Sequence, residues 1–154
     1  RLLERTGTND IGSITGLYSV LVEGDDLSDP VADSARSILD GHIVLSRDLA
    51  NKGHYPSVDV LKSVSRLKTT IAKGEKLKQI NKIIELMSVF NDSEDLINIG
   101  AYAKGSNPNV DIAIEFMPVI NQLLRQGIED TTDLNETIQV IEAINGKINS
   151  LNKP

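Results

Sequence analysis

The sequence predicts an α/β layer followed by an all-α bundle, and three observations carry that reading. Strand and helix signals alternate between residues 13 and 46. Beyond Leu67 only helical spacing of apolar residues remains. Between the two, around residues 72–74, the apolar pattern breaks and lysines accumulate. A domain boundary is placed there, with residues 1–72 as the first unit and 73–154 as the second.

Residues 13–23, SITGLYSVLVE, are rich in β-branched and aromatic side chains and run into Gly24, Asp25 and Asp26, so they read as a strand entering a loop. Asp29 and Pro30 then supply an N-cap and a first helical residue, for a helix that ends near Asp40 and Gly41. Residues 42–46 read as a second strand, and strand, helix, strand in this order predicts a parallel sheet. Residues 47–51 make a helical turn closed by Gly53, and Tyr55 before Pro56 is held extended because proline excludes the α region for its predecessor. Leu77, Ile80, Ile84 and Met87 repeat at three and four, which predicts an amphipathic helix over 75–90. Asp92 and Ser93 cap a further short helix through Ile99, and Gly100 and Gly105 bracket a loop. Asn107 and Pro108 start a helix with Ala113, Phe116, Ile120 and Leu123 on one face and a kink at Pro118. The last helix starts at Thr132 or Asp133, carries Leu134, Ile138, Ile141, Ile144 and Ile148, and weakens at Gly146 and Asn149.

Composition bounds the function. The 154 residues are 40% hydrophobic and 25% charged, ordinary for a globular protein with a packed core. The apolar runs fall far short of the ~20 residues a membrane-spanning helix needs, and with no signal-peptide pattern the expected location is cytoplasmic. Cysteine is absent, which removes disulfides and thiolate metal sites. A net charge of −6 argues against nucleic acid as a partner of the chain as a whole. Charge is uneven along the chain: seven basic residues between Lys62 and Lys82 oppose the single acid Glu75, and from there to Glu136 acids dominate. Both stretches read as solvated helix surface, or as docking sites for a charged partner or phospholipid.

Two residues stand out as candidates for chemistry. Arg66, in SVSR, is a surface or structural arginine on bare sequence; alternatively its planar fork of donors can neutralise charge on a transferring phosphoryl group. Tyr55 lies in the loop KGHYPSVDVL rather than on an apolar face, where its ring can stack on a base or pack against a sheet edge. Other constellations fail. Asp25, Asp26 and Asp29 lack EF-hand spacing, with Leu27 third and Pro30 sixth when counted from Asp25, and read as turn and cap residues. His42 and His54 have no third ligand nearby for zinc. GSITG has Ile14 where a nucleophile elbow needs serine. Asp40, Asp48 and Asp59 are each possible general bases, and nothing in their spacing selects one.

The stretch from Gly12 to Leu67, with VLVEGDD, RSILDGHIVLSR, KGHYPSVDVL and SVSR, resembles the flagellum-specific and type III secretion ATPases, relatives of rotary F-type and V-type subunits. DLINIGAYAKGSNPNVDIAI and LLRQG extend the resemblance through the helical part. It implies the carboxyl half of a RecA-like ATPase core over 1–72 and a helical carboxyl-terminal domain over 73–154. It further implies that Arg66 is an arginine finger acting in trans, and that Tyr55 and Pro56 form the adenine pocket loop. No G-x-x-x-x-G-K-[ST] phosphate loop occurs in the sequence, and the chain opens on Arg1. The expectation is therefore a segment of a longer ATPase, inactive alone, whose ATP and Mg2+ are gripped by residues outside it. The implied partners are five further copies in a homo-hexamer, a stator-like regulator, a central-stalk coiled coil, the export gate and chaperone-cargo complexes, at the cytoplasmic side of the inner membrane. A rotary ATP synthase subunit and a non-catalytic interaction module are the alternatives.

Overall fold

A computed structural model describes residues 6–22, 24 and 29–151. Among these residues the fold comprises two antiparallel strand pairs, three shorter helices and a three-helix bundle. The first pair, β1 (Gly7–Thr8) with β2 (Ser13–Ile14), sets Gly7 opposite Ile14 and Thr8 opposite Ser13. The strand expected over 13–23 is thus confined to its first two residues. Ile11, Leu17 and Leu21 stand almost fully exposed, so among the described residues no layer covers these apolar side chains, and a strand without a partner leaves its backbone groups unpaired. Glu23, Asp25 and Asp26 lie outside the described residues.

Helix α1 (Pro30–Ile38) starts where the sequence places it: Asp29 Oδ1 accepts from the N–H groups of Val31 and Ala32 at 2.9 and 3.1 Å. It feeds β3 (Gly41–Leu45), then the short α2 (Arg47–Asn51), capped by Ser46, and then β4 (Val58–Ser65). The expected parallel sheet is corrected here. β3 pairs antiparallel with β4, whose first residues the sequence predicts as part of the Tyr55 loop and whose last residues it assigns to no element. The Ser46 N–H donates to the Ser57 carbonyl at 2.8 Å, so the chain doubles back directly at the end of β3 and antiparallel pairing follows. A bulge between His42 and Val44 opens this ladder. Ser63 fills it, with Oγ accepting from the Val44 N–H at 3.0 Å and donating to the Asp59 carbonyl at 2.6 Å. That irregularity breaks strict alternation along β4 and hid the strand from pattern reading.

A four-residue helix, α3 (Lys68–Ile71), precedes α4 (Gly74–Asn98). Two helices were expected where α4 is one of 25 residues. Asp92 and Ser93 sit inside it, where their modest helix propensity is overridden by packing. Its buried residues are Ile83, Leu86 and Met87, a stripe rotated from the expected one because α4 packs against both α5 (Pro108–Leu124) and α6 (Leu134–Leu151). Helix α5 buries Val110, Ala113, Phe116 and Ile120, and continues through Pro118 to Leu124. Helix α6 opens with a reciprocal capping box: the Glu136 N–H donates to Asp133 Oδ1 at 2.8 Å and the Asp133 N–H to Glu136 Oε2 at 3.1 Å. It runs past Gly146 and Asn149 to Leu151 without the expected weakening, anchored by Ile144, Ile148 and the buried Asn145. The Asn145 amide donates to the Ile141 carbonyl within α6 and to the Gln79 carbonyl of α4, at 2.9 and 3.3 Å. Val60 of β4 packs on the bundle core, which fastens the β3–β4 hairpin to the helices. Among the described residues no helix is long and apolar enough to cross a membrane.

Candidate functional site

Arg66 follows directly on β4 and is exposed. Its main-chain N–H donates to the Asp40 carbonyl at 2.8 Å, which extends the ladder by one step. Its Nη2 reaches the carbonyls of Ser37 and Arg36, in the last turn of α1, at 3.1 and 3.4 Å. The end of a helix leaves carbonyls without intrahelical donors and carries partial negative charge, so a guanidinium rests there favourably. Close approach of the two strand ends requires Gly41, since a Cβ there would meet the Val64 carbonyl oxygen at 2.5 Å. The result is a surface depression of about 300 Å³ lined by Asp33, Arg36, Ser37, Gly41, His42 and Arg66 among others. His42 Nε2 lies 3.2 Å from the Lys62 carbonyl, and the ring thereby helps brace β4 behind Arg66.

Tyr55 and Pro56 occupy the loop before β4, at the opposite end of that strand from Arg66. Tyr55 is 58% exposed, and its carbonyl accepts from the Gln126 N–H at 2.8 Å. Eight strand residues separate the two candidates, roughly 20 Å or more at ~3.3 Å per residue. The structure therefore does not bring Tyr55 and Arg66 together within one chain.

Beside Tyr55 stands a residue that sequence reading considered only as a zinc ligand. His54 is 5% exposed, its Nδ1 accepts from Arg125 Nε at a long 3.5 Å, and its Nε2 has no hydrogen-bond partner among the described residues. Burial holds its pKa below the usual histidine value, the Arg125 charge pushes the same way, and a contact with the Leu124 main chain opposes them. The available clue was Arg125 itself, an isolated cation in an acidic stretch of sequence.

Asp48, Asp59 and Asp111 have structural places. Asp48 lies in the first turn of α2, Asp59 Oδ1 accepts from the Lys62 N–H at 3.1 Å inside the β4 bulge, and Asp40 meets Arg66 through its main-chain carbonyl and not its carboxylate. Asp111 Oδ2 accepts from the Gly105 N–H at 2.9 Å and its Oδ1 lies 3.0 Å from the Tyr102 hydroxyl, knitting the loop between α4 and α5. Among the described residues no three His, Cys, Asp or Glu side chains gather as a metal site.

These parts define a class of protein: the closing portion of a RecA-like nucleotide-binding core, joined to a small helical carboxyl-terminal domain. Residues 1–65 match the nucleotide-binding domain of the ATP synthase alpha/beta family, and residues 72–143 match the T3SS EscN ATPase C-terminal domain. The flagellum-specific ATP synthase of Bacillus subtilis is 52% identical over 146 residues, which is 95% of this chain and 33% of that protein. The assembled ATPase EscN from the enteropathogenic E. coli type III secretion system superposes with a TM-score of 0.88 at 38% identity, over 93% of this chain and 35% of that one. EscN in complex with its central stalk EscO gives 0.80 at 35% identity, over 93% and 34%. The chain belongs to the family of flagellum-specific and type III secretion ATPases, and it spans about a third of the length of the curated relatives it matches.

Proposed function

We propose that this chain is the arginine-bearing edge, adenine-side loop and carboxyl-terminal helical domain of an ATPase that works as a hexameric ring to energise type III protein export, in its flagellar branch. In this reading residues 1–72 close the ATPase core and residues 73–154 form the partner-facing domain. The observation that carries it is the placement of Arg66, exposed at one end of β4, while Tyr55 is exposed at the other. Two side chains flanking opposite ends of one strand serve two different nucleotides: Tyr55 and Pro56 face the adenine of the chain's own site, and Arg66 faces the phosphates of the nucleotide in the next subunit's site. The assembled EscN structure supports an oligomer, and its complex with EscO supports a central stalk as partner. A stator-like regulator, the export gate and chaperone-cargo complexes are the further partners, and the site of action is the cytoplasmic face of the inner membrane.

ATP bound with Mg2+ supplies the phosphoryl group in such an enzyme. The residues here fit two parts of that ligand. An exposed aromatic ring suits a base, and an exposed guanidinium suits the oxygens that gain charge as the phosphoryl group moves. They offer no phosphate loop and, among the described residues, no carboxylate cluster for the metal. Arg66 leaves its resting bonds on α1 and donates to phosphate oxygens across the subunit boundary. Tyr55 orients the base end, which fixes the distance at which those oxygens are presented.

Phosphate release by residues 1–154, compared with the complete protein that carries this segment, tests the assignment. The complete protein hydrolyses ATP and the isolated segment does not. Turnover by the segment at the rate of the complete protein overturns the proposal.

A further inference from the structure

The seam between hairpin and bundle runs through the loop that carries Tyr55. Besides the packing of Val60 on the bundle core, three polar side-chain or main-chain contacts across it bear on that loop. The Gln126 N–H donates to the Tyr55 carbonyl at 2.8 Å, Arg125 Nε donates to His54 Nδ1 at 3.5 Å, and Lys52 Nζ lies 3.7 Å from Glu94 Oε1 of α4. The last is an exposed ion pair of little consequence. The first two act on consecutive residues of the loop and come from consecutive residues at the exit of α5.

His54 is the member that needs explaining. An imidazole only 5% exposed, with Nε2 unpartnered among the described residues, is a costly thing to bury. Packing alone is served by an apolar side chain at no such cost. The polar edge that does find a partner, Nδ1, is aimed at Arg125, the residue that terminates α5. Acceptance from a guanidinium requires the neutral ring with its hydrogen on Nε2; burial and the Arg125 charge favour the neutral ring, and the contact with Arg125 Nε selects that tautomer. On its other side the loop is tied to α2 through the His54 N–H and the Leu49 carbonyl at 2.9 Å. The Tyr55 main chain is therefore clamped between α2 and the end of α5, while its ring stays exposed.

We infer that His54 and Arg125, with the Gln126 to Tyr55 bond, form a positioning joint through which the helical domain sets where the Tyr55 ring stands, and with it the affinity for ATP. This rests on the reading of Tyr55 as an adenine contact. His54 and Arg125 act through Tyr55 and touch no nucleotide themselves. A displacement of α5 at its exit moves the Tyr55 carbonyl directly, so a partner bound to the helical domain is felt at the base end of the nucleotide and not at the reacting phosphate.

The test is steady-state ATP hydrolysis by the complete ATPase, with kcat and KM determined separately for five variants. Arg125→Ala raises KM about fivefold, the effect of one lost hydrogen bond, and leaves kcat within about twofold. His54→Leu does the same. His54→Asn, whose Oδ1 takes the place of Nδ1 and still accepts from Arg125, stays near the unmodified KM. The double variant Tyr55→Ala with Arg125→Ala is no worse than Tyr55→Ala alone. The joint is overturned if Tyr55→Ala raises KM while Arg125→Ala does not, if the two effects add in full, or if His54→Asn behaves as His54→Leu. An unchanged KM in Tyr55→Ala sinks the adenine reading itself, and the joint falls with it. Should His54→Leu not fold, the Arg125 variants decide the matter, since that side chain is exposed.

Discussion

Replacing Arg66 by alanine separates a structural arginine from a functional one, because the structure bounds its structural worth. The side chain is exposed and makes two bonds, at 3.1 and 3.4 Å, to carbonyls at the end of α1. At an exposed, solvent-screened position such bonds, including the favourable charge at a helix terminus, contribute about 1 kcal/mol together. The melting temperature then falls by only about 3 °C or less. An arginine finger is worth a thousandfold or more in turnover, about 4 kcal/mol. The two readings therefore differ by at least a few kcal/mol in a quantity that is easily measured. Phosphate release at saturating ATP, binding of a fluorescent ATP analogue and thermal unfolding are to be compared in the complete ATPase. The expected result is turnover reduced about a thousandfold with binding and melting temperature nearly unchanged. Arg66→Lys keeps the charge near α1 but not the planar fork, so it recovers stability and not turnover. Turnover within about tenfold of the unmodified enzyme, or a loss that follows stability, refutes the finger.

Gly41→Ala forces the β3–β4 end apart by setting a Cβ against the Val64 carbonyl, so turnover falls through misplacement of Arg66 while KM changes little; a KM-only effect contradicts this. Ile120→Ala empties a fully buried position in the bundle core and lowers stability by about 2–5 kcal/mol, read from urea unfolding. His54 has a folded pKa below its ordinary 6.5, so as pH falls the unfolded chain takes up the proton first. Stability is accordingly full above about pH 6.5 and declines as pH drops toward the lowered folded value. His54→Asn flattens that decline, and denaturant midpoints measured across the interval check it.

Helix termini were the most legible part of the chain. Asp29 with Pro30, Asn107 with Pro108 and Asp133 with Glu136 each cap a helix by a bond between neighbours in sequence, and local chemistry of that kind needs no tertiary partner. The glycines at 53, 100 and 105, all at positive φ, were legible for the same reason. Pairing was not. Whether residues 13–23 form a strand depends on what lies beside them, and β4 was concealed because Ser63 and Asp59 interrupt its alternation with a bulge. Helix α4 runs through Asp92 and Ser93 because packing on both α5 and α6 outweighs a local stop signal. At the candidate site, Arg66 and Tyr55 stood out by motif and by loop position. His54 did not, since its environment is supplied by Arg125, 71 residues away.

The claim on which the account turns is that Arg66 acts on the nucleotide of a neighbouring subunit, and mixed rings test it most directly. Subunits carrying Arg66→Ala are combined with subunits whose phosphate loop is disabled, each inactive in its own ring, and ATP hydrolysis is measured as a function of mixing ratio. Arginine delivered across the boundary predicts that activity returns in mixed rings, because some boundaries then join an intact Arg66 to an intact phosphate loop. Rings that stay inactive at every ratio, with mixing verified, contradict it.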